Sequence, residues 1–109
     1  DMVIMSNNKG NSKKEKVAEL NIRRLGQKLA RRGIQLRREI LSRGHAFKVK
    51  SGACSVDGSK LIFLDKRLPI SQQTSLLIDL LLDRGVQLVE DELELLPEAS
   101  RPLFVEANL

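Results

Sequence analysis

One cysteine, one histidine and no tryptophan or tyrosine occur among the 109 residues, and each shortage excludes something. A lone Cys54 forbids an intramolecular disulfide and points to a reducing, cytoplasmic compartment. One Cys and one His cannot build a zinc site, which needs a cluster of such ligands. Three Phe are the only aromatic residues, which weakens any function that relies on aromatic stacking platforms. No apolar run approaches the roughly 20 residues of a membrane-spanning helix, and Met2-Val3-Ile4-Met5 is too short for a signal-peptide core. The glycines are single and scattered, without the spacing of a phosphate-binding loop.

Catalysis finds little to work with. Nucleophilic chemistry needs an activated nucleophile with a base in reach. Cys54 and His45 form the only Cys–His combination, yet Cys54 falls in an expected core strand and reads as a small hydrophobe. His45, beside a glycine, reads as a loop residue. Asp79 and Asp83 share a helix face at i, i+4 and read as a solvated acidic stripe. The expectation is a non-enzyme with no catalytic residue, no cofactor, no metal and no small-molecule substrate.

What the chain does have is charge, unevenly placed. Its net charge is +5, but residues 1–50 carry 14 Lys and Arg against 4 Asp and Glu. Residues 51–109 carry 5 against 10. Such asymmetry suggests an acidic partner for the front half, self-association of opposite ends, or two solvated faces. The candidate contact residues are Arg23, Arg24, Lys28, Arg31, Arg32, Arg37 and Arg38, facing either a protein or nucleic-acid phosphates.

The length fits one domain. Residues 1–12 are polar, small and cationic after the opening apolar tetrad, and read as a flexible tail ahead of a single domain over 13–109. Residues 13–32 carry Ala18, Ile22, Leu25 and Leu29 on one helical stripe. Ser12 with Glu15 matches a capping box, and Gly33 marks the stop. Residues 34–38 alternate like a strand, and 47–50 do so again. Asp57-Gly58 signals a two-residue type I′ hairpin turn, which pairs Cys54 with Leu61 and Ala53 with Ile62. Cys54, Val56, Leu61 and Phe63 then share one environment. Residues 61–64 are apolar on both faces and read as a central strand, and Gly52 reads as a bend.

Pro69 closes the exit from the sheet. Ser71 reads as the N-cap of a core helix ending at Arg84–Gly85, with Leu77, Ile78, Leu80, Leu81 and Leu82 on its apolar face. Residues 90–94 (EDELE) read as an acidic linker. A last short helix begins near Pro97, with Pro102 implying a kink. The fold class is therefore α+β: a long N-terminal helix, a small three- or four-stranded, mostly antiparallel sheet, a core helix and a short C-terminal helix.

The G-x-C-x-V-x-G of residues 52–58, the K-x-I-x-L-D-K-R-L of 60–68 and the LLPEASRPLF of 95–104 resemble a family of small bacterial proteins of unknown function. The resemblance implies no activity. The helix–strands–helix order is also similar to the front half of minimal zinc-dependent peptidases. Those carry H-E-x-x-H on the helix after the sheet, where this chain has Asp79-Leu80-Leu81-Leu82-Asp83. That resemblance implies an inactive scaffold. The leading expectation is a non-catalytic interaction module that binds another protein or itself through its basic helix and acidic C-terminal region. The alternative is a nucleic-acid-associated protein.

Overall fold

The computed structural model describes residues 2–41, 52–57 and 60–107, with side chains described between 13 and 105. The expected strand at 47–50, His45 and the Gly58–Ser59 tip of the hairpin lie outside the described residues. The elements run α1 (Met2–Ala30), β1 (Gln35–Glu39), β2 (Ala53–Val56), β3 (Leu61–Asp65), α2 (Ile70–Asp83) and α3 (Glu90–Leu93). A 3₁₀ turn at Glu98–Ser100 leads into α4 (Arg101–Ala107). This is the α+β architecture expected, and no described helix is long and apolar enough to cross a membrane.

Helix α1 buries the stripe its sequence specifies: Ile22, Leu25 and Leu29 are inaccessible, with Ala18 half-buried. It begins at Met2, so it takes in the stretch read as a tail, and Ser12 lies inside the helix rather than at its cap. Residues 2–12 hold one glycine and no proline, so nothing in them interrupts propagation once a helix has nucleated. The C-terminus follows expectation. Gly33 sits at φ 83°, and its N–H and that of Ile34 donate to Ala30 and Leu29 carbonyls at 3.1 and 3.0 Å. Those two bonds are a Schellman stop, which needs a left-handed residue at this position.

Three strands form one sheet in the order β1-β3-β2. β3 pairs antiparallel with β2 and parallel with β1, so the sheet is mixed rather than mostly antiparallel. As its apolar run requires, β3 is central. The hairpin register differs from the two-residue turn: Cys54 faces Phe63 and Ala53 faces Leu64. Asp57, at φ 54°, opens a four-residue loop that Lys60 N–H closes onto the Asp57 carbonyl at 3.3 Å. A slip of two residues leaves each side chain on its own face. Cys54 and Phe63 therefore still cluster with Leu41, Val56 and Leu61 on one side of the sheet. Ile62, Leu64 and Ala53 face the other side, in the main core with Leu77, Ile78, Leu81, Leu96 and Phe104.

Helix α2 lays its expected apolar face on that core, burying Leu77, Ile78 and Leu81. Pro69, not Ser71, is its N-cap residue, and no side chain caps it. Pro69 at φ −53°, ψ 145° aims the chain into the helix by itself. Gln73, buried in the first turns, satisfies the connection instead: its Nε2 donates to the Leu68 and Lys66 carbonyls at 2.7 and 3.3 Å. The acidic linker is a helical turn, α3, and buries Glu92. Pro102 causes no kink, because it occupies the first turn of α4, where its missing N–H costs nothing.

The D-K-R segment closes the sheet. Asp65, 7% exposed at the end of β3, accepts from Arg67 Nε at 3.0 Å, Arg67 Nη2 at 2.7 Å and Arg67 N–H at 3.0 Å. Arg67 Nη2 also donates to the Leu41 carbonyl at 2.7 Å, tying the chain beyond β1 to the turn after β3. Gly52 (φ 88°) approaches so closely that a Cβ there would lie 2.5 Å from Leu68 Cδ1. The Arg67 hydrogen bonds hold the Asp65 carboxyl down at about 2, against an ordinary 3.8. A depressed folded-state pKa stabilises the fold fully above the unfolded value and loses that contribution as pH falls through the folded one. The stability gap between wild type and Asp65→Asn should be constant near neutrality and shrink between about pH 4 and pH 2. Urea midpoints across that range measure it, and a pH-independent gap would contradict the assignment.

Candidate functional site

Seven cations were candidates for outward contact, and the structure pairs five of them with carboxylates of the same chain. Arg38 leaves β1 toward α1, where its Nη1 and Nη2 donate to the two Glu19 carboxylate oxygens at 2.6 and 2.7 Å. Its Nε donates to Gln73 Oε1 at 2.8 Å. This is a bidentate, charge-assisted pair. The hydrogen bond from Arg38 lowers the Glu19 carboxyl pKa, with burial opposing. Arg23 reaches the same carboxylate only at 3.8 Å and stays exposed. Arg37, on the opposite face of β1, pairs with Glu39 at 2.6 Å and lies 5.9 Å over the Phe63 ring.

At the other end of α1, two cations meet the acidic turn. Arg32 Nη1 donates to Glu92 Oε1 at 2.5 Å and its Nη2 donates to the Gln87 carbonyl at 2.7 Å. The same Glu92 oxygen accepts the Val89 N–H at 2.9 Å. Glu92 is 2% exposed, and an ionised carboxylate that deep needs these partners. Lys28 Nζ donates to Asp91 Oδ2 at 2.8 Å, and that bond lowers the Asp91 pKa. Arg24 and Arg31 alone among the seven are exposed and unpaired among the described residues. Two ion pairs, Lys28–Asp91 and Arg32–Glu92, thus join the basic and the acidic halves of the chain, and Arg38 and Arg37 pair with Glu19 and Glu39 of their own half.

Docking α3 onto the end of α1 brings the following segment, residues 94–98, alongside the middle of the same helix. Between them and α2 lies an open groove of about 490 Å³. Ala18, Ile22, Leu25, Leu77 and Leu96 supply its apolar surface, and Val17 stands on the α1 side at 59% exposure. Lys13 and Lys14 edge the groove on the helix side, and Glu94 and Glu98 edge it from the facing segment. Arg101 fixes that segment, with Nη2 donating to the Glu94 carbonyl at 3.1 Å and Nε to the Leu96 carbonyl at 3.3 Å. A second cavity of about 580 Å³ lies around Glu19, Arg23, Arg38 and Gln73; its strongest charges already satisfy one another.

The Cys54 thiol is buried, and burial raises its pKa. It stays protonated and is a poor nucleophile. No cluster of three metal-ligating side chains occurs among the described residues. Comparison with protein-family models, curated proteins and solved structures yields no match to this chain.

Sequence reasoning identified the cations but missed Glu92, Gln73 and the groove wall at 94–98. An acidic run beside a basic helix terminus was a signal for the first. Nothing local marks Gln73, whose partners come from the loop before α2 and from β1. Arg32→Ala would strand a buried carboxylate and should lower unfolding free energy by about 3 kcal/mol. Arg24→Ala, on an exposed and unpaired side chain, should change it by less than about 0.5 kcal/mol. Urea denaturation of both variants makes the comparison; equal effects would contradict the clasp.

Proposed function

We propose that this chain is a non-catalytic interaction module that binds a polypeptide in the groove between α1, α2 and residues 94–98. The observation that carries the reading is the groove itself. Its surface is aliphatic, its edges carry both signs of charge, and Arg101 holds its wall in place. Aliphatic surface edged by fixed charges suits an amphipathic segment: burial supplies affinity and the rim sets orientation. The resemblance to small bacterial proteins and a cytoplasmic setting belong to the same proposal, and the buried, unbridged Cys54 supports a reducing compartment.

A second reading, association with nucleic acid, is favoured by Arg24 on α1 and Arg31 in the turn just after it, both exposed and unpaired among the described residues. It loses support from the pairing of Lys28, Arg32, Arg37 and Arg38 with carboxylates of the same chain. Phosphates would have to displace those carboxylates, which are held at no entropic cost of association.

Photo-reactive side chains placed singly at Val17 and at Arg24, in lysate of the source cells, test the reading. Protein adducts from the Val17 probe and none from the Arg24 probe are expected. Absence of any protein adduct at Val17 would overturn the groove as a binding surface, and nucleic-acid adducts at Arg24 would favour the second reading.

A further inference from the structure

Five charged side chains line the groove: Lys13 and Lys14 on α1, Glu94 and Glu98 on the facing segment, and Arg101, whose guanidinium is turned onto the Glu94 and Leu96 carbonyls. The two lysines and the two glutamates make no ion pair among the described residues. Unmatched charge of opposite sign on the two sides of one apolar groove is a self-complementary pattern. A two-fold axis through the middle of the groove lays the lysine side of one copy over the glutamate side of the other, twice. That reciprocity is what an isologous interface requires. The apolar shapes also match. Val17, 59% exposed on the α1 side of the groove, stands out from it, so one molecule carries both a convex and a concave apolar surface.

Resting on the groove as a binding surface, we propose that its occupant is a second copy of this chain. The dimer is two-fold symmetric, with Lys13 and Lys14 of each protomer against Glu94 and Glu98 of its partner. Val17 of each protomer enters the partner's groove. The rim charges fix the register, since any arrangement that faces lysine with lysine places like charges together across a desolvated boundary. Burial of Val17 and the groove lining supplies the drive.

Sedimentation equilibrium on the purified full chain, at concentrations up to about 1 mM, reads the result. Wild type should be dimeric. Lys13→Glu with Lys14→Glu, and separately Glu94→Lys with Glu98→Lys, should each weaken self-association by about tenfold or more. An equimolar mixture of those two variants should dimerise again, because each brings the charges the other now lacks. Circular dichroism of each variant confirms that the exposed replacements leave the fold in place, and recovery in the mixture shows the same by function. A wild-type chain that stays monomeric throughout, or variants that dimerise as wild type does, would overturn the proposal. If the monomer nevertheless gives adducts with a different protein at Val17, the groove stands and only the second copy is excluded. If Val17 captures no protein at all, the groove reading itself fails.

Discussion

A carboxylate cannot leave water without something to replace it, and the burial of Glu92 is the constraint on which the functional surface depends. Arg32 at the end of α1 and the Val89 N–H both point at the same Glu92 oxygen. Together with Lys28 and Asp91, they fix where the chain goes after α2. The segment from 94 to 98 then runs beside the middle of α1, and Arg101 holds its carbonyls there. The groove exists because the acidic turn is docked. Ion pairs of this kind contribute less net stability than their geometry suggests, because desolvation offsets much of the attraction. What they supply here is placement.

The same logic changes how the charge asymmetry is understood. A basic half and an acidic half suggest a molecule that must find partners for both. In the folded chain the two halves meet at the C-terminal end of α1, where Glu92 and Asp91 take Arg32 and Lys28, while Arg38 pairs with Glu19 of its own half. Among the charges left without an ion pair, two groups stand out. Lys13, Lys14, Glu94 and Glu98 border an aliphatic groove, while Arg24 on α1 and Arg31 just beyond it are exposed.

Local chemistry made much of the fold legible. The Ala18–Ile22–Leu25–Leu29 stripe, the stop at Gly33 and the central place of β3 follow from residue types and spacing. So does the shared environment of Cys54, Val56, Leu61 and Phe63, which survives a wrong hairpin register because the slip was an even number of residues. The register itself was missed because Asp57-Gly58 is the signal of a two-residue turn, whereas Asp57 here opens a longer loop. The parallel pairing of β1 with β3 was not legible, since it joins strands that are distant in sequence and leaves no local mark. The candidate site was legible only as a list of cations. Arg32 and Glu92 lie 60 positions apart, and nothing within either neighbourhood announces the other.

The central claim is that the basic end of α1 and the acidic turn are held together inside one molecule. A double-mutant cycle between Arg32→Ala and Glu92→Gln tests it most directly, with unfolding free energy as the readout. A close, partly buried pair predicts a coupling of about 1.5 kcal/mol or more, each single variant costing more than its effect in the other's background. Additive effects, with coupling near zero, would contradict the clasp and with it the placement of the groove wall.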